Sequence, residues 1–183
     1  VLQASLLAEV AWRGMTYTPN GVQETCMDKI ADWMAGGGKR WLMLSGLPGN
    51  GKTTVMRATV TTFEYLQKTD EYGDHISVKQ VTARQINAAA ILQDNYKIYN
   101  NIAGQKFLAI DDMGVEPVEV VCYGNVDTPV VDLLLYRYQH LLSTIVSTNL
   151  TPADIRAKYG DRIADRFNEM FNVVVFSNQT FRK

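Results

Sequence analysis

At 183 residues, 46% hydrophobic and 20% charged, the chain has the makeup of an ordinary globular protein with length for one domain and a sizeable core. A net charge of −1 excludes nucleic acid held by a global basic field, so any such contact must be a local patch or need several subunits. No apolar run approaches the ~20 residues of a membrane helix, and Val1 to Leu7 lacks a basic leader before Glu9. These features argue against a signal peptide or a membrane partner and for a cytoplasmic protein.

Residues 2–12 read as a short amphipathic helix, with Leu2, Leu6 and Val10 four apart. The chain starts at Val1 and not at Met, so a fragment or processed form is expected, with a partner-binding N-terminal region left off. A turn-rich link, Gly14 to Gly21, leads to a second helix over about 22–34, which the run Gly36-Gly37-Gly38 ends. The first strand is expected over 40–45. Next comes Gly46-Leu47-Pro48-Gly49-Asn50-Gly51-Lys52-Thr53, then a helix to about Lys68 whose Val55, Met56, Val60, Phe63 and Leu66 form one face.

Residues 76–81 are β-rich, and 83–93 and 96–102 read as two short helices. Phe107-Leu108-Ala109-Ile110 has the length and continuity of a strand buried on both faces, and it runs into Asp111-Asp112. A long loop over 113–127 is expected, then a helix capped by Thr128 with Pro129 at its first position. Residues 143–147 form another buried-type strand. Thr151-Pro152-Ala153-Asp154 has capping-box spacing, Gly160-Asp161 starts one more helix, and 172–176 is the last strand. Strands alternating with helices imply an α/β layered fold with a mostly parallel sheet. A single domain over 1–183 suffices, with N-terminal helices and linker in 1–38 and the core in 39–183.

The glycine-rich segment fits strand–GxxxxGK[ST]–helix in letters and in context. Glycines let successive backbone N–H groups turn toward phosphate oxygens, and the helix N-terminus adds positive dipole there. Gly46, Leu47, Pro48, Gly49, Asn50, Gly51, Lys52, Thr53 and Thr54 are therefore the expected triphosphate site. Lys52 reaches the β- and γ-phosphates, and the Thr53 hydroxyl holds Mg²⁺. In such sheets ligands lie beyond the carboxyl ends of strands. Asp111 is the expected second Mg²⁺ holder, at the Walker B position, and Asp112 the base for an attacking water. Asn149 orients that water or senses the γ-phosphate, or is simply a turn residue. Cys26 and Cys122 are distant and outside any CxxC arrangement, and His75 and His140 stand alone. Reduced thiols are expected, and zinc is not.

These motifs resemble the AAA+ ATPases of the bacterial helicase-loader group (DnaC/DnaI type) and the related IstB-type transposition helpers. The resemblance rests on the Gly46–Thr53 segment, Leu108-Ala109-Ile110-Asp111-Asp112-Met113-Gly114, Thr144-Ile145-Val146-Ser147-Thr148-Asn149-Leu150 and Tyr159-Gly160-Asp161-Arg162-Ile163-Ala164-Asp165-Arg166-Phe167. It implies a five-stranded parallel sheet of order 5-1-4-3-2, ATP and Mg²⁺ as ligands, and self-assembly into a ring or spiral. It also implies that Asn149 is the first sensor residue. An arginine that reaches a neighbour's ATP is implied at Arg166, with Arg162 as second choice; a solvated arginine paired with Asp161 or Asp165 is the alternative. Because Lys183 follows the last strand closely, no C-terminal helical lid is expected.

The family's DNA-contacting helices correspond to residues 82–106, where Arg84, Tyr96, Lys97, Tyr99 and Lys106 suit single-stranded DNA or belong to core and surface. Tyr17, in the link before the first strand, is a candidate neighbour of adenine. The expected role is an ATPase in DNA replication or transposition, weak as a monomer, with a replicative helicase or a transposase as partner. A nucleotide-gated adaptor with little turnover is the alternative.

Overall fold

The computed structural model describes residues 1–18, 21–67, 69, 73, 75–91, 96–122, 124–177 and 180–181. The side chains of Tyr96, Cys122 and Arg162, and all of Lys68, lie outside the described residues. In chain order the elements are α1 (Leu2–Trp12), α2 (Gly21–Met34), β1 (Trp41–Gly46), α3 (Lys52–Tyr65), β2 (Val78–Thr82), α4 (Ala83–Ile91), α5 (Tyr96–Ala103) and β3 (Phe107–Met113). There follow β4 (Val120–Cys122), β5 (Asn125–Asp127), α6 (Pro129–Gln139), β6 (Ser143–Thr148), α7 (Pro152–Tyr159), α8 (Asp161–Met170) and β7 (Phe171–Phe176).

Five strands pair in parallel in the order β2-β3-β6-β1-β7. Counted along the chain without the separate β4–β5 pair, this is the 5-1-4-3-2 order that the family resemblance implies. The continuous apolar runs are continuous because both sheet faces are covered. In β1, Trp41 and Met43 face a layer with Leu133, Leu134, Ile163 and Phe167, whereas Leu42 and Leu44 face the layer with Leu6, Ile30, Met56 and Phe63. Each such aliphatic side chain contributes roughly 1.5–3 kcal/mol through burial. Helix α1 packs against α3, which ties the N-terminal segment to the helix that follows the glycine-rich loop.

Local chemistry sets the element ends. Thr151 and Asp154 form the expected capping box: the Thr151 hydroxyl accepts Asp154 N–H at 3.2 Å, and the Asp154 carboxylate accepts Thr151 N–H at 3.0 Å. At α6, Pro129 does open the helix, but Thr128 makes no side-chain cap. Its hydroxyl donates instead to Asp132 Oδ2 at 3.0 Å. The span expected as loop over 113–127 contains the β4–β5 hairpin, with Val121 opposite Val126. Three-residue strands are too short to show alternation, which is why the pair does not stand out in the sequence. Cys26 is buried and donates its thiol to Val175 O at 3.4 Å; burial raises its pKa, partly countered by Lys29. Among the described residues no helix is long and apolar enough to cross a membrane.

Candidate nucleotide site

The loop between β1 and α3 takes its shape from backbone torsions that L side chains rarely adopt. Gly46, Gly49 and Gly51 have φ of 151°, 81° and 95°. At Gly46 there is also no room: a Cβ there would lie 2.4 Å from Phe176 O and 2.5 Å from Asn50 Nδ2. Asn50 is fully buried and donates Nδ2–H to that same carbonyl at 2.7 Å, so its side chain anchors the loop to the end of β7. Lys52 is 5% exposed and donates to Gly46 O at 2.7 Å, Leu47 O at 2.8 Å and Asn50 Oδ1 at 3.0 Å. Leu47 and Pro48 form the exposed outer turn.

Asp111 and Asp112 belong to β3 itself rather than to a loop after it, and they sit at an irregularity. Ile110 pairs with Val146 but Met113 pairs with Thr148, so β3 carries one residue more than β6 over this stretch. Asp112 absorbs the extra residue with φ of 54°. Bulges of this kind re-aim a side chain, and a non-glycine residue at positive φ is uncommon. Thr53 Oγ1 donates to Asp111 Oδ1 at 3.0 Å, joining the first turn of α3 to β3.

Ser147, fully buried on β6, links the two carboxylate residues: its hydroxyl donates to Asp111 Oδ1 and accepts Asp112 N–H at 2.9 Å. Sequence reasoning missed that role. Its one signal was a hydroxyl residue directly after the apolar pair Ile145-Val146. Next along β6, Thr148 Oγ1 donates to Met113 O at 2.7 Å, and Leu150 lies where a Gly114 Cβ would be, at 2.6 Å.

A cavity of about 1080 Å³ opens at these strand ends, lined by Pro48, Gly49, Gly51, Lys52, Thr53, Thr54, Asp112 and Asn149. Its other wall comes from α1 and the link after it, with Leu6, Val10, Arg13, Met15 and Tyr17, and from Phe181. Phe181 N–H donates to Gly49 O at 2.9 Å, so the chain returns to the loop after β7. Tyr17 does line this cavity; burial and then Glu24 raise its phenol above the ordinary value. Arg13 and Phe181 carry no sequence motif and were not anticipated.

Arg166 stands apart from the cavity. It is half-buried on α8 with its guanidinium 5.8 Å from the ring centroid of Tyr138. Asp161 and Asp165 are bridged by Arg156 instead, at 2.5 and 2.7 Å, so the expected alternative of an Arg166 pairing with either is not what the fold builds. Among the basic and aromatic residues of 82–106, Arg84 and Lys97 are exposed, whereas Tyr99 donates its hydroxyl to Pro129 O at 2.8 Å and packs on the core. Tyr99 is therefore a structural ring rather than an open stacking surface.

The sequence matches no protein-family model and no curated protein. The fold is similar to that of DnaI, with TM-score 0.69 and 16% identity over 91% of this chain and 88% of that one. It is similar to AMPPCP-bound DnaA from Aquifex aeolicus, with TM-score 0.61 and 14% identity over 90% of this chain and 50% of that one. A replication initiator DnaA bound to AMPPCP and single-stranded DNA gives TM-score 0.64 and 14% identity over 89% and 49%. The chain thus spans about half the length of these two DnaA structures. With strand order, glycine-rich loop and β3 carboxylates in their places, the chain has the fold of the AAA+ P-loop NTPases.

Proposed function

We propose that this protein binds ATP with Mg²⁺ and hydrolyses it, and that it acts in DNA replication or transposition as a helicase-loader-like ATPase. One observation carries the reading: the hydroxyl of Thr53 and the carboxylate of Asp111, from neighbouring elements, meet at 3.0 Å beside a glycine-built cradle with Lys52 at its base. These are hard oxygen donors of the kind Mg²⁺ selects, and the residues present fit the ion. When bound, Mg²⁺ supplies charge neutralisation on the phosphate oxygens. Lys52 exchanges loop carbonyls for phosphate oxygens. Asp112, turned by the bulge toward the cavity it lines with Asn149, takes the proton of an attacking water that Asn149 orients.

Arg166 serves a neighbouring subunit's site in a ring or spiral. Its position outside its own chain's cavity supports this, and the similar fold of a DnaA bound to single-stranded DNA supports a role at nucleic acid. Arg84, Lys97 and Lys106 are the exposed cations of the segment expected to meet DNA. The partner is a replicative helicase or a transposase.

The test is calorimetric titration with ATP and Mg²⁺, followed by turnover. Lys52→Ala should abolish uptake, whereas Asp112→Asn should keep uptake and lose turnover. Failure of the wild-type chain to take up ATP or GTP, or full uptake by Lys52→Ala, would sink the proposal.

A further inference from the structure

Arg13 stands at the C-terminal end of α1, outside every motif, yet its guanidinium crosses to α3 and donates Nη1–H to Thr54 Oγ1 at 2.7 Å. It lines the same cavity as Lys52, Thr53 and Asp112, and among the described residues no carboxylate is paired with it. Held on the first turn of α3, it adds a second positive charge to the cavity that Lys52 lines, and so favours an anion there.

The first turn of α3 gives the direction. Successive helix residues lie about 100° apart, so adjacent hydroxyls point to different sides. Thr53 is committed to Asp111 and Thr54 to Arg13. The cradle is therefore bracketed by carboxylates on one side and a guanidinium on the other. Beyond Arg13 the wall is mainly apolar, with Leu6, Val10, Met15 and Tyr17 beside Thr16, Thr18 and Gln23. A nucleotide has the same polarity: its metal-binding end belongs with the carboxylates and its flat base with the apolar wall.

The geometry points to Arg13 as a second phosphate-binding cation, acting in cis from the N-terminal segment on the phosphates nearest the base. This rests on the nucleotide reading above and adds to it a residue and a position. Arginine suits the task, since its fixed fork of donors can keep Thr54 and also hold a phosphate oxygen. Because α1 packs on α3, the same contact makes the N-terminal segment part of the bound site.

The test compares ATP and ADP affinity by calorimetry, with Mg²⁺, for the whole chain and for Arg13→Gln, Arg13→Lys and Lys52→Ala. Arg13→Gln should weaken ATP and ADP by a like factor, about tenfold to a hundredfold, and make affinity less sensitive to salt. Arg13→Lys should recover part of the loss, and because Arg13 is exposed the melting temperature should not move. Wild-type affinity for both nucleotides in Arg13→Gln, with uptake lost in Lys52→Ala, overturns the Arg13 assignment and leaves the nucleotide reading standing. Weakening confined to ATP puts Arg13 at the terminal phosphate and overturns its placement. No uptake by the wild-type chain overturns both.

Discussion

Removing a single hydroxyl, in Tyr159→Phe, should destabilise the protein far more than a surface change. Tyr159 ends α7 at 9% exposure and donates its hydroxyl to Oε1 of Glu116, which is 1% exposed. The other oxygen of Glu116 accepts Gly114 N–H at 2.7 Å, in the turn that leaves the β3 carboxylates. A hydrogen bond to a carboxylate in such a site contributes about 1.5–3 kcal/mol, and no water can replace the lost donor cheaply. We expect a loss of about 2 kcal/mol, or a fall in Tm of about 4–8 °C for a chain of this size. Burial first, then the bond to Glu116, hold the phenol well above its ordinary value of 10.0. Above about pH 10 the folded state then keeps a proton that the unfolded chain has lost, so this group's contribution is whole below that pH and declines as pH rises. The gap between wild type and Tyr159→Phe should therefore narrow in alkali. Burial lowers Arg137 to about 10, which acts with the opposite sign in the same range, but both proteins share it and it cancels. Urea denaturation at neutral and alkaline pH, with Glu116→Gln completing a double-mutant cycle, measures the effect. Additive losses, or an unchanged midpoint in Tyr159→Phe, would refute the reasoning.

Three further outcomes are expected. Arg137 is fully buried and donates to Ala103 O at 2.9 Å, Gln105 O at 2.7 Å, Ser143 O at 2.5 Å and Thr144 Oγ1 at 3.0 Å. Arg137→Met orphans three carbonyls and should cost at least about 3 kcal/mol in urea denaturation, with Arg137→Lys recovering only part. Gly46→Ala drives a Cβ against Phe176 O, and strain of about 1–3 kcal/mol at the loop should weaken ATP binding about fivefold to a hundredfold by calorimetry. Arg166→Ala and Asp112→Asn should each lower ATP turnover by about a thousandfold or more, and an equimolar mixture should regain part of it if sites are shared between subunits. A mixture as silent as its components excludes a trans-acting Arg166.

The sheet and the glycine-rich loop were legible because their signals are local and redundant. An apolar run, a glycine string and a helical face succeed one another within 41–66, and each alone already points the same way. Thr53 and Asp111, each expected as a Mg²⁺ holder, lie within hydrogen-bond distance of one another at 3.0 Å. What stayed hidden depends on registers between distant strands. The extra residue at Asp112 exists only relative to β6, so nothing within 107–113 announces a bulge. Glu116 belongs to no motif in the span expected as loop, and its buried bond to Tyr159, 43 residues on, follows from no local pattern. Arg13 lies 41 residues from Thr54, with no pattern joining them.

The sheet order explains why these hidden contacts fall where they do. Because β6 lies between β1 and β3, its side chains are the natural stitches between the glycine-rich loop and the carboxylates. Ser147 holds Asp111, Thr148 holds the Met113 carbonyl, and Leu150 fills the space over Gly114 while its own carbonyl accepts from Ser45 Oγ at 3.4 Å. Asn149 sits inside this set, between Thr148 and Leu150, and lines the cavity with Asp112. On the far side the turn after β3 is gripped by Glu116, which also binds Tyr159, directly before the helix that bears Arg166. One short turn thus touches both the central strand and the α7–α8 pair. Buried bonds to Gly114 N–H and to the Tyr159 hydroxyl make Glu116 the joint between that turn and the end of α7.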